Sequence, residues 1–114
     1  MDQTLSLEQR VIREILSEIA NVEVFGDIQF KTVFDDEQKR YQVIATGWEN
    51  DKQILRTAAL LEIQNDLVWL QADNTDFGIA EQLIKHGISQ HQIVLGFHPA
   101  KWRGQTGFAT GENV

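Results

Sequence analysis

The sequence predicts an α+β domain: an N-terminal helix, a four-stranded antiparallel meander, a second helix, a short final strand and an irregular C-terminal tail. Three observations carry that prediction. Apolar residues near the N-terminus recur at spacings of three and four. The period falls to two between about residues 28 and 73. It returns to helical spacing after "DNTD" (73–76).

The first helix is expected over about residues 6–20. Leu7, Val11, Ile12, Ile15, Leu16 and Ile19 form one apolar face, and Ser6 with Gln9 has the form of a capping box. In the first strand Ile28, Phe30, Thr32 and Phe34 alternate with Gln29, Lys31 and Val33, and "DDEQK" (35–39) supplies a polar turn. The second strand, "RYQVIATGWE" (40–49), is apolar on both faces, with Tyr41, Val43 and Ala45 on one and Ile44 and Trp48 on the other. It is therefore expected to be central and covered on both sides. "NDK" (50–52) turns into "QILRTAALLEI" (53–63), and "QND" (64–66) turns into "LVWLQAD" (67–73).

The second helix is expected to start at Asp76 as N-cap, to bury Phe77, Ile79, Ala80, Leu83 and Ile84, and to end at Gly87. "SQHQ" (89–92) suits one short turn and "IVLGF" (93–97) a final strand. Beyond His98-Pro99 the glycines at 104, 107 and 111 predict that regular structure ends. Two helices cannot cover both faces of such a sheet. An open face would call for a partner, and a symmetric homodimer is the commonest solution.

Length and composition limit what the chain can do. A chain of 114 residues, 42% hydrophobic and 24% charged, suits one folded domain spanning 1–114 rather than a disordered segment. Seventeen acidic against ten basic residues give a net charge of −7, whose field opposes independent binding to duplex DNA. There is no cysteine for a disulfide, a zinc knuckle or a thiol nucleophile. No apolar run is long enough to cross a bilayer, and "MDQTLSLEQR" lacks the basic start of a secretory signal. The expectation is a cytoplasmic protein without a membrane partner.

Several groups of residues have the outline of a chemical site. Asp27 with Glu37 and Lys39 has the order of a nuclease metal site, but Glu37 and Lys39 fall in a hairpin turn, where a catalytic carboxylate would not be held. Asp73, Asn74 and Asp76 are too few oxygens for a calcium loop, and strand exit followed by a helix start accounts for them. The histidines at 86, 91 and 98 lack zinc-helix spacing. His98, between a strand and the one proline, suits a proton shuttle, with Asp73 or Asp76, a partner contact, or a histidine that donates to a backbone carbonyl and so fixes the turn. Gly104-Gln105-Thr106-Gly107 fits the G-x-x-G nucleotide clamp in letters but does not join two helices. No catalytic motif and no cofactor fingerprint is present, so a non-enzymatic role is expected.

Lys101-Trp102-Arg103 remains. Cations around a stacking ring suit single-stranded nucleic acid, and Trp with Arg suits a protein interface. Trp102 could also pack on its own sheet. The chemistry ranks self-packing first, a protein partner second and nucleic acid third.

"GDIQFKTVFDDEQKRYQVIATGW" (26–48), "DLVWLQADNTDFGIAEQLIKHGI" (66–88) and "IVLGFHPAKWRGQTGFA" (93–109) together resemble the XisI-like family, the cyanobacterial element-excision controlling factors. The resemblance covers nearly the whole chain and rests on Tyr41, Gly47, Trp48, Trp69, Gly78, Gly96, Phe97, His98, Pro99, Thr106, Gly107 and Phe108. It implies a role in programmed excision of a DNA element during heterocyst differentiation, with the cutting and joining done by a separate recombinase. It also implies a XisH-type partner, nuclease-like in fold and encoded nearby, with DNA reached only through the complex. No catalytic residue and no cofactor comes with it. The expected contact surface is Phe97, His98, Pro99, Lys101, Trp102, Arg103, Thr106, Gly107 and Phe108, with Trp48 as a further candidate. The alternative is direct nucleic-acid binding through Lys101, Trp102 and Arg103.

Overall fold

A computed structural model describes residues 4–22 and 27–111 of the chain. Gly26, which opens the first of the three stretches above, lies outside the described residues. The order is α1 (Leu7–Ala20), β1 (Gln29–Asp35), β2 (Arg40–Glu49), β3 (Lys52–Gln64), β4 (Leu67–Asp73), α2 (Ile79–Lys85), a 3-10 turn (Gln90–Gln92), β5 (Ile93–Leu95) and α3 (Ala100–Arg103).

Ser6 caps α1 through the predicted box: its Oγ accepts from Gln9 N at 3.1 Å, and Gln9 Oε1 accepts from Ser6 N at 3.0 Å. The five strands form one sheet in chain order. β1 to β4 are antiparallel, and β5 lies parallel to β4 because α2 carries the chain back across the sheet. The two tight hairpins place Asn50-Asp51 and Asn65-Asp66 at positive φ, the backbone that matches the twist of adjoining strands.

The core lies on one face of the sheet. Val11, Ile12, Ile15, Leu16 and Ile19 of α1 and Ile79 and Leu83 of α2 pack onto Tyr41, Val43, Leu61, Val68, Leu70 and Ile93. Two bulges shape that face. Val43 pairs with Ala59 but Ile44 with Thr57, so Ala58 is extra in β3 and two consecutive alanines are buried; Gln71 is likewise extra in β4.

Three expectations need correction. Leu7 and Ile84, expected on the apolar faces of α1 and α2, are 44% and 39% exposed. β2 is covered on one face only: Tyr41, Val43 and Ala45 are buried, whereas Ile44 is half-buried and Trp48 is 55% exposed. α2 is not capped by Asp76. Its N-cap is Gly78, and the carboxylate serving this turn is Asp73, which accepts from Thr75 N, Thr75 Oγ1 and, at 3.4 Å, Ile79 N. The tail is irregular apart from the single turn of α3 and one parallel bridge between Val94 and Ala109. Among the described residues, no helix is long and apolar enough to cross a membrane.

Candidate partner-binding surface

The C-terminal tail is built around Trp69. This residue lies between Val68 and Leu70, which point into the core, so its side chain stands on the opposite face of the sheet. The Arg103 guanidinium sits 5.2 Å from the Trp69 ring centroid. Its Nε donates to His98 O at 3.1 Å, and its Nη2 donates to Gly96 O at 3.4 Å. Arginine is suited to this task, since its planar fork can stack and donate together. Gly96 and Gly111 press on the same indole. A Cβ on Gly111 would collide with the ring, and one on Gly96 would meet the Gln71 amide and lie 3.3 Å from Trp69. The indole Nε1 is buried and has no hydrogen-bond partner among the described residues.

The rest of the tail is fastened by its own polar groups. Thr106 Oγ1 donates to Arg103 O at 2.8 Å and accepts from Phe108 N at 3.1 Å. Gln90 Nε2 donates to Gly107 O at 2.9 Å, and Ala109 N donates to Ile93 O at 2.8 Å. Phe108 packs against the core, and Val94, on the face away from the helices, is fully buried.

This construction divides the Lys101-Trp102-Arg103 triplet. Arg103 turns inward as a pin. Trp102, the residue expected first to pack on its own sheet, is 50% exposed, and Lys101 Nζ lies 5.6 Å from its ring centroid. The indole that does pack there is Trp69. Composition could not single it out, because only the parity of β4 and a segment more than 30 residues later determine what covers it.

Phe97 is 48% exposed and stacks at a tilt on His98, with ring centroids 4.7 Å apart; Pro99 is exposed beside them. The His98 backbone fixes the turn, its N–H donating to Leu95 O and its carbonyl accepting from Arg103. Asp73 is engaged by Thr75 and Ile79, and no hydrogen bond joins it to His98. His86 Nδ1 lies 2.8 Å from Gln82 O in the last turn of α2. Glu37 and Lys39 lie in the β1–β2 turn, and no three His, Asp or Glu side chains cluster around a common point among the described residues. Gly104–Gly107 lies between α3 and the Val94–Ala109 bridge and does not link two helices.

Trp48 stands apart from the tail. Arg40, Glu62 and Trp69 face one another across three strands, and Trp48 lies eight residues further along β2, roughly 25 Å away. The candidate residues therefore fall in two places: the tail, which carries the Phe97–His98 stack and the exposed Trp102, and Trp48 on the β2–β3 hairpin.

Comparison with known proteins gives a consistent result. The family model described as XisI protein matches residues 1–110. A crystal structure of a XisI-like protein from Anabaena variabilis ATCC 29413 is 28% identical with a TM-score of 0.84, covering 91% of this chain and 98% of its own. The fdxN element excision controlling factor XisI from the same organism is 27% identical with a TM-score of 0.80, covering 92% and 96%. No curated protein matches. With the family model spanning residues 1–110 and both folds superposing along nearly their whole length, the chain belongs to the XisI family.

Proposed function

We propose that this chain is a non-enzymatic accessory protein of the excision-control type, and that it acts by binding a XisH-type, nuclease-like protein through its tail. The observation that carries this reading is an exposed pair of aromatic groups, Phe97 on His98 and Trp102 under Lys101, on a segment locked by Arg103 and Thr106. Large exposed rings on a rigid support suit an interface hot spot, because little ordering entropy is lost when they dock. The net charge of −7 favours a partner with a basic surface and speeds encounter with one.

Direct nucleic-acid binding draws less support from the same geometry. Arg103 is spent on two carbonyls and Trp69, which leaves Lys101 as the cation beside the stacking ring. The test is co-expression with the neighbouring XisH-type protein, tagged on one component. A stoichiometric complex that Trp102→Ala weakens while the variant stays folded is the expected result. No complex from two soluble, folded proteins would overturn the reading. Salt-sensitive DNA binding by the isolated chain would put the alternative in its place.

A further inference from the structure

The tail covers the outer face of the sheet only at β4 and β5. Across β1 to β3 that face is open among the described residues. The register places Val33, Ile44, Trp48, Leu55 and Leu60 on it, and Val33, Trp48 and Leu55 are 45%, 55% and 69% exposed. A hollow lined by Val33, Asp35, Arg40, Tyr41, Gln42 and Leu60 opens toward its Arg40 end. The molecule is a slab of 49 × 42 × 23 Å with a radius of gyration of 15.0 Å, against about 13 Å for a compact chain of this length. Beyond Thr57 β3 has no β4 beside it, and β1 pairs with β2 only as far as Thr46, so the tip of the β2–β3 hairpin with Trp48 extends past the rest of the sheet.

We propose that the open face of β1–β3 is the interface of a symmetric dimer of this chain. Charge identifies a second copy as the occupant. The chain as a whole carries −7 and repels itself, yet on these three strands the outward charges are two cations, Lys31 and Arg40, and two anions, Asp35 and Glu62. This face carries no net charge and is apolar at its centre, so two copies meeting here repel each other less than the chain's overall charge would make them. Asp35, Arg40 and Glu62 lie in one cross-strand row, with Arg40 Nε 3.2 Å from Glu62 Oε2, so the ions line one border of the apolar strip.

The register also selects the symmetry. A two-fold axis along the strands would set Asp35 of one copy against Glu62 of the other. An axis across the strands, through the row of Ile44, sets Leu55 over Leu60 and Trp48 over Arg40, apolar on apolar and ring on cation. The same axis lays Lys31, which shares the row of Ile44, over its own copy at the edge of β1, a like-charge contact that water at the rim screens. Two sheets stacked in this way form a sandwich with a shared core, the ordinary way for a sheet to bury a second apolar face.

This inference stands independently of the tail as partner surface. The test is sedimentation equilibrium of the full chain with the variants Leu55→Glu and Trp48→Glu. Both sites are more than half exposed, so the variants should fold, and circular dichroism checks that they do. The expected result is a species of twice 13.0 kDa, shifted toward monomer by each variant with a dissociation constant raised at least about tenfold, and left intact by Trp102→Ala. A monomer at every concentration, or a dimer that both folded variants preserve, would overturn the proposal. So would a monomer whose binding to the XisH-type protein is lost in Leu55→Glu, which would assign the face to that partner.

Discussion

The Tyr41 hydroxyl donates to Asp36 Oδ1 at 2.9 Å, which joins the start of β2 to the turn that precedes it. The same hydroxyl accepts from Gln9 Nε2 at 2.9 Å, and Gln9 Nε2 also donates to Asp36 O at 3.0 Å. Arg13 Nη1 completes the cluster at 3.2 and 3.0 Å from the two Asp36 carboxylate oxygens. Gln9 therefore caps α1 with its carbonyl and latches α1 to the β1–β2 turn with its amide. Helix and sheet are joined by this buried polar contact as well as by apolar packing.

Tyr41 is the one tyrosine of the chain, so phenolate absorbance reports it alone. Burial, reinforced by the Asp36 carboxylate and opposed by the Gln9 amide, pushes its pKa from 10.0 up to about 12. The folded state thus holds a proton that the unfolded state releases. This contribution is complete below pH 10 and disappears as pH rises from 10 to 12. Alkaline titration should give a midpoint near 12 in the folded protein and near 10 in denaturant. Tyr41→Phe should flatten the loss of stability across that window and cost about 1–2 kcal/mol at neutral pH, because Asp36 loses a donor and Gln9 an acceptor.

On the acid side the reporting group is Glu8. The Gln92 amide, donating to its Oε1 at 2.9 Å, and then Glu8's own backbone N–H hold the carboxyl below its ordinary 4.5, against a smaller effect of burial. A lowered carboxyl contributes stability above its unfolded pKa and loses it as pH falls through the folded value. In Gln92→Leu the Glu8 midpoint, followed by NMR, should move up toward 4.5, and stability should fall less steeply in acid.

The sequence shows clearly those parts of the fold that rest on local chemistry. The Ser6–Gln9 box, the Asn-Asp hairpins and the bounds of β4 follow from neighbours in the chain. What it hides depends on distant contacts. Ala58 and Ala59 break the strand period because β3 bulges against β2. Asp76 has the chemistry of an N-cap, but Asp73, at the end of a strand, already reaches the first amide of α2. Trp102 and Trp69 are indistinguishable by composition. Which one is exposed depends on Arg103 stacking on the other.

Gly47 is required by a close approach of backbone. Its φ is +154°, and a Cβ there would collide with the Asp27 carbonyl and lie 2.7 Å from Ile28 Cα. Backbone, unlike a side-chain tip, cannot swing aside. Gly47→Ala should therefore lower stability by more than about 2 kcal/mol in denaturant unfolding, whereas Gly87→Ala meets no atom within 4 Å and bears only the cost of its positive φ.

Arg103→Lys tests whether the tail is held as described. Lysine keeps the charge but cannot donate through a planar fork to Gly96 O and His98 O while lying over Trp69. The tail should loosen without unfolding the sheet. Global stability should change by about 1 kcal/mol or less, while amide exchange at Ala109, which donates to Ile93 O, should accelerate well beyond that of the core strands. Binding of the XisH-type partner should weaken as well, because its aromatic contacts would have to be ordered on docking. Trp102→Ala should weaken binding too, yet leave Ala109 exchange unchanged, since the Trp102 side chain is half exposed and takes no part in the pin. Equal acceleration in both variants would mean that Trp102 holds the tail, and the partner surface would then have to be sought elsewhere.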